Sequence, residues 1–189
     1  MRTIIRYAAI GFAVATLAAC GTVPMGVPQA SLDSIRLLRS AGIAPVGVGD
    51  FAPAPEMDKS LDATAGVRAT TLVAPGGSFA GYLKETLAAE LQGAGLLAAG
   101  TDRTIAGWLT DRQLDAAIGR GQGRLAARFV VRRAGVVVYD RELAVAATWD
   151  SSFVGAVAIP AAINEFTALF RKLVLKLVND PEFRTAVAP

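Results

Sequence analysis

The chain has 189 residues, 53% of them hydrophobic, with 19 Lys+Arg against 16 Asp+Glu, one cysteine and no histidine. That inventory excludes a Ser-His-Asp triad, a Cys-His nucleophile pair and a zinc site of the usual Cys/His kind. It also excludes a disulfide framework, so a folded domain must rest on its apolar core, and the length suffices for one such domain.

Arg2 and Arg6 open the chain with positive charge, and residues 7–19 are uncharged and end in small side chains, which is the build of a secretory signal peptide. The run is shorter than the roughly 20 residues that a membrane-crossing helix needs. Leu17-Ala18-Ala19-Cys20 resembles the bacterial lipobox. The resemblance implies that residues 1–19 are a lipoprotein signal peptide and are removed, and that Cys20 then carries lipid on its thiol and fatty acid, such as palmitate, on its new amino terminus. A structural cysteine within the apolar run is the alternative reading. Several acyl chains on one residue anchor a protein firmly where one chain is marginal. Gly21 and Thr22 follow, with no Asp directly after the cysteine; by the enterobacterial sorting pattern this implies the periplasmic face of the outer membrane. Without Arg2 and Arg6 the basic count falls to 17 against 16 acidic residues. The apparent basicity nearly vanishes, and with it the case for a nucleic-acid partner.

Residues 20–30 read as the acylated N-terminus and a Gly/Pro-containing tether, and residues 31–189 as a single periplasmic domain. Ser31 caps an expected short helix over residues 31–39. Val46 and Val48 alternate towards Asp50 and Phe51, predicting a strand that stops at Pro53 and Pro55. Residues 54–66 are loop-like, and residues 67–73 are an expected second strand. Ser78 precedes Phe79, Leu83, Leu87 and Leu91 at four-residue spacing, predicting a helix stopped by Gly93 and Gly95.

Three extended runs follow, over residues 103–109, 124–133 and 136–149. In the second, Leu125, Ala127, Phe129 and Val131 alternate with Arg124, Arg128 and Arg132, a half-buried strand with a solvated basic face. Ala134-Gly135 predicts the tight turn into the third. Ile159, Ile163, Phe166, Phe170, Leu173, Val174 and Leu177 form a helical stripe with Pro160 in the first turn and Asn179-Asp180-Pro181 as the stop. Covering a sheet is its expected task; a membrane-surface helix, suggested by Arg171, Lys172 and Lys176, is the rival. The order of elements predicts an α+β fold: a two-layer sandwich with a mixed, mainly antiparallel sheet of about four to five strands and two main helices packed on one face. Its core is expected to include Phe79, Leu83, Leu87, Phe129, Val131, Phe166, Phe170 and Leu177.

No cofactor and no metal are expected. Gly76-Gly77-Ser78-Phe79-Ala80 approximates a nucleophile elbow, but with no histidine to take a proton Ser78 reads as a helix cap. Gly47-Val48-Gly49-Asp50-Phe51-Ala52 fits a loose dinucleotide pattern, yet Pro53 and Pro55 stand where the phosphate-binding helix would begin. Gly119-Arg120-Gly121-Gln122-Gly123-Arg124 reads as a flexible connection between strands, with an anion-binding loop as the alternative. Two carboxylate pairs are candidates for glycoside hydrolysis, Asp111 with Asp115 and Asp140 with Glu142, provided that they are held about 5–9.5 Å apart in a cleft.

The segment Trp149-Asp150-Ser151-Ser152-Phe153-Val154-Gly155-Ala156-Val157-Ala158-Ile159-Pro160 is the most unusual. Its structural reading has Ser151 or Ser152 capping the last helix, with small residues allowing close approach to the sheet. Its functional reading makes Trp149 and Phe153 a partner-docking patch. The segment resembles one in uncharacterised proteobacterial envelope lipoproteins. The element order, with the lipobox, is similar to that of the lipopolysaccharide-assembly lipoprotein and of the auxiliary lipoproteins of ABC-type transport systems. These resemblances imply a non-enzymatic accessory or assembly component of a cell-envelope complex, a transport complex among the candidates, which meets the membrane through its lipid anchor. A peptidoglycan-acting enzyme using paired carboxylates is the alternative.

Overall fold

The computed structural model describes residues 21–189. The expected signal segment, residues 1–19, and Cys20 lie outside the described residues. In chain order the elements are β1 (Gly21–Pro24), α1 (Leu32–Ser40), β2 (Gly47–Pro53), α2 (Lys59–Ala63), β3 (Thr64–Val67), β4 (Thr70–Val73), α3 (Phe79–Ala94), β5 (Arg103–Asp115), β6 (Gly119–Arg133), β7 (Val136–Ser151), α4 (Gly155–Asn179) and α5 (Pro181–Ala186).

The expected α+β class holds. The main sheet has the order β2-β5-β6-β7, with β2 parallel to β5 and the other pairs antiparallel. A second, three-stranded sheet has the order β1-β4-β3, with β1 parallel to β4 and β3 antiparallel to it. The alternation in β6 does what its sequence demands: Leu125, Ala127, Phe129 and Val131 are fully buried. Helices α3 and α4 close over that face. Phe79, Tyr82, Phe166 and Phe170 interlock between them, with Tyr82 to Phe170 at 4.9 Å and Phe166 to Phe170 at 5.4 Å between ring centroids, both edge-to-face as ring quadrupoles favour. All eight expected core residues are fully buried.

Local chemistry fixes several boundaries. The Ser78 hydroxyl accepts the Gly81 N–H at 2.9 Å and starts α3. The helix stops at Gly95, whose φ of 77° is the left-handed cap conformation. Gly93 does not contribute to that stop but lies inside the helix. A Cβ there would come within 2.8 Å of the Ala30 Cβ, so the missing side chain admits the segment entering α1. Ala134 and Gly135, at φ 48° and 83°, form the β6–β7 turn, with both central residues in the conformation that matches strand twist.

Other expectations are corrected. Residues 54–66 are not a loop throughout: they hold α2, and the single strand expected over 67–73 is instead the β3–β4 hairpin, turning at Arg68 (φ 53°). The glycine-rich run from Gly119 is not a flexible connection but the start of β6, paired with the end of β7. Pro160 is not in the first turn of α4, which begins at Gly155 because residues 155–158 already hold helical geometry. The membrane-surface reading of α4 gives way to the core reading, since Phe166, Leu169, Phe170, Leu173, Val174 and Leu177 are fully buried. Its basic residues serve packing: Arg171 meets the buried Glu90 carboxylate at 3.1 Å, and Lys176 donates to Ala144 O at 2.8 Å on the outer edge of β7.

Candidate functional site

The expected tether is not a spacer. Gly21 pairs with Thr70 and the strand runs in register to Pro24 with Val73. Met25 follows, buried, with its N–H donating to Val73 O at 2.8 Å. Gly21, the residue that follows Cys20 in the sequence, is therefore the first residue of a sheet.

Two residues before Thr70 stands Arg68, which sequence reasoning missed. Its guanidinium donates to Ala116 O (2.8 Å), Ser151 Oγ (3.1 Å), Ser152 O (2.5 Å) and Phe153 O (3.2 Å). One fork thus ties the β3–β4 turn, the β5–β6 loop and the β7–α4 junction together. Ser151 is buried and also donates to Ala116 O at 3.3 Å. A depression of about 280 Å³ lies beside this clamp, lined by Gly66, Arg68 and residues 114–118.

The two aromatics of segment 149–160 part company. Trp149 packs against the core, over Gly121, its register partner on β6, where a Cβ would collide with the indole. Its Nε1 is buried without a hydrogen-bond partner. Phe153 is 79% exposed. The expected serine cap of α4 is corrected: Val154 occupies the N-cap position with no side-chain bond. Ser152 Oγ accepts the N–H of Val154 at 3.1 Å, tightening the turn just upstream, and Ser151 is turned inward to Arg68.

The candidate carboxylates are all engaged. Asp140 accepts two bonds of 2.6 Å from the Arg128 guanidinium, which holds its carboxyl below the usual range. Glu142 accepts from Thr110 Oγ1 at 2.9 Å, Asp111 pairs with Arg124 at 2.8 Å, and Asp115 accepts the Ala117 N–H at 2.9 Å. A carboxylate held ionised by an arginine fork has no proton to donate to a leaving group. Among the described residues no group of three or more Asp, Glu or Cys side chains is placed to hold a metal ion, and no helix is long and apolar enough to cross a membrane.

No protein-family model matches the chain, and no curated protein matches it. Among solved structures, protein XCC0632 from Xanthomonas campestris, described with the family model DUF330, is similar at a TM-score of 0.60 and 15% identity, over 87% of this chain and 96% of that one. A minor lipoprotein from Acinetobacter baumannii is similar at a TM-score of 0.44 and 13% identity, over 74% of this chain and 92% of its own. The Xanthomonas comparison shows a shared fold.

Proposed function

We propose that this chain is a lipid-anchored envelope lipoprotein, held at the periplasmic face of the outer membrane, and a non-catalytic accessory or assembly component of a larger complex. The observation that carries the reading is the ordered run of positive start, apolar segment and Leu17-Ala18-Ala19-Cys20. The four candidate carboxylates favour a non-catalytic role, since each is already bound to a neighbour on the protein surface. A protein partner is expected along the free edge of β7 beyond the part covered by Lys176. There Val136, Val137 and Val138 are exposed, and an unpaired edge invites strand addition.

Mass spectrometry of the full-length protein produced in a Gram-negative host tests the anchor. The expected N-terminal peptide begins at Cys20 with acyl chains attached, and Cys20→Ser lacks them. An unmodified Cys20 thiol overturns the reading. Density fractionation of the same cells places the protein with the outer or inner membrane, and photo-crosslinking from position 137 identifies the partner.

A further inference from the structure

The exposed apolar residues at the β7–α4 junction are grouped. Gly119 pairs with Ser151, which sets Ile118 opposite the Ser152 and Phe153 step. Ile118 is 64% exposed, Phe153 79%, Val154 54% and Val157 58%. From Phe153 to Asn164 there is no charged residue, and the first is Glu165. The opening turns of α4 therefore offer water an apolar surface as well as burying one, where a surface helix normally turns a polar face outward. Arg68 and Asp115 line the depression beside Ile118, and Arg120 and Asp150 are paired across the adjoining ends of β6 and β7, two charges of each sign.

This patch lies at the end of the molecule where the described chain begins. Gly21 pairs with Thr70, Thr70 is two residues from Arg68, and Arg68 bonds the carbonyl of Phe153 itself. With β1 paired in its sheet, Gly21, the residue after Cys20 in the sequence, is held at this end. We infer that the lipid anchor draws this face onto the bilayer and that Ile118, Phe153, Val154 and Val157 insert into the headgroup and acyl boundary. The inference rests on acylation of Cys20 as proposed above. Bilayer is the occupant because acyl chains on the residue next to Gly21 in the sequence would hold this end of the domain at the membrane surface. With balanced rim charges, contact is apolar and resists salt.

The test uses the acylated full-length protein carrying a single added cysteine at position 118 or 153, or at the control positions 136 and 137, labelled with a polarity-sensitive dye. Acylation leaves Cys20 without a reactive thiol. The protein is reconstituted in vesicles of phosphatidylethanolamine and phosphatidylglycerol, with or without brominated acyl chains. Dye at 118 and 153 is expected to shift to the blue and to lose about half its emission to bromine, consistent with burial roughly 5–10 Å into the interface, while dye at 136 and 137 changes in neither respect. Phe153→Asp, at an exposed site that circular dichroism will show folded, is expected to remove the quenching at 118. Vesicle-bound protein with unquenched dye at 118 and 153 overturns the inference, and a blue shift without quenching assigns the face to protein instead. Absence of the acyl mass on Cys20, read before reconstitution, overturns the anchor and this inference together.

Discussion

The Trp149 indole lies over the backbone of Gly121, its partner across the β6–β7 ladder. Phe51 covers Gly107, its partner across β2 and β5, in the same way. In both pairs an aromatic ring fills the space that a missing side chain leaves, the cross-strand device that rescues glycine in a sheet. Trp149→Ala is expected to cost about 2–3 kcal/mol, less than a fully buried tryptophan because part of the ring is exposed. Gly121→Val is expected to cost about 1–3 kcal/mol by overpacking. Urea denaturation of the two single variants and the double variant checks the coupling: the Gly121→Val cost should shrink once the indole is gone.

Phe170 is fully buried and touches Phe79, Tyr82 and Phe166. Phe170→Ala is expected to destabilise the domain by about 3–5 kcal/mol, through lost burial and a residual cavity where α3 meets α4. Thermal and chemical unfolding will report it, and an unchanged midpoint would contradict the packing described.

Arg112 is buried because the β5 irregularity between Leu109 and Asp111 turns it inward. Its Nε and Nη2 donate to Leu61 O at 3.0 and 2.8 Å, Nη2 also reaches Thr64 O, and the guanidinium stands 5.3 Å from the Phe79 ring centroid. Arg112→Ala is expected to cost about 2–4 kcal/mol by stranding those carbonyls. Arg112→Lys should recover less than half of that loss, since an ammonium cannot reproduce the planar fork. Full rescue by lysine in equilibrium unfolding would argue for charge alone.

Removing Arg68 tests the clamp. Arg68→Ala is expected to change global stability by no more than about 1–2 kcal/mol, since the residue is exposed and its charge screened. Local opening should change far more. Hydrogen exchange at residues 116–118 and 151–154 should accelerate about tenfold or more while β6 amides keep their protection. Uniform acceleration across the domain would mean that Arg68 has no local task.

Tyr139 is buried and donates its hydroxyl to Asp180 Oδ2 at 3.2 Å. Burial, and then the Asp180 charge, push its pKa above the ordinary phenol range, and burial moves Tyr82 the same way. The folded state keeps a proton that the unfolded chain gives up, so the associated stability is full below about pH 10 and is lost as pH rises beyond it. Tyr139→Phe should cost about 1 kcal/mol at neutral pH through the lost hydrogen bond and should flatten the decline between about pH 9.5 and 11. Urea titrations across that range measure both.

The sequence by itself determined the two main helices, the β6–β7 hairpin and the core that they enclose. Their signals are local: Ser78 as a cap, Gly95 as a stop, alternation through Leu125 and Val131, and the helical stripe from Phe166 to Leu177. It also contains Leu17-Ala18-Ala19-Cys20, whose resemblance to a lipobox is legible because it is a contiguous string. Only the tertiary structure decided that residues 21–24 are a strand, since four residues with a glycine and a proline have no periodicity of their own and pair with residues 70–73 far along the chain. It likewise decided that the glycines after Ile118 belong to β6, because Trp149 supplies from the partner strand what Gly121 lacks. Register separated Trp149, which faces the helices, from Phe153, which faces outward, and it gave an arginine in a two-residue turn four partners from distant segments. Propensity and periodicity act over a few residues, whereas these pairings arise only when segments remote in sequence are brought into contact.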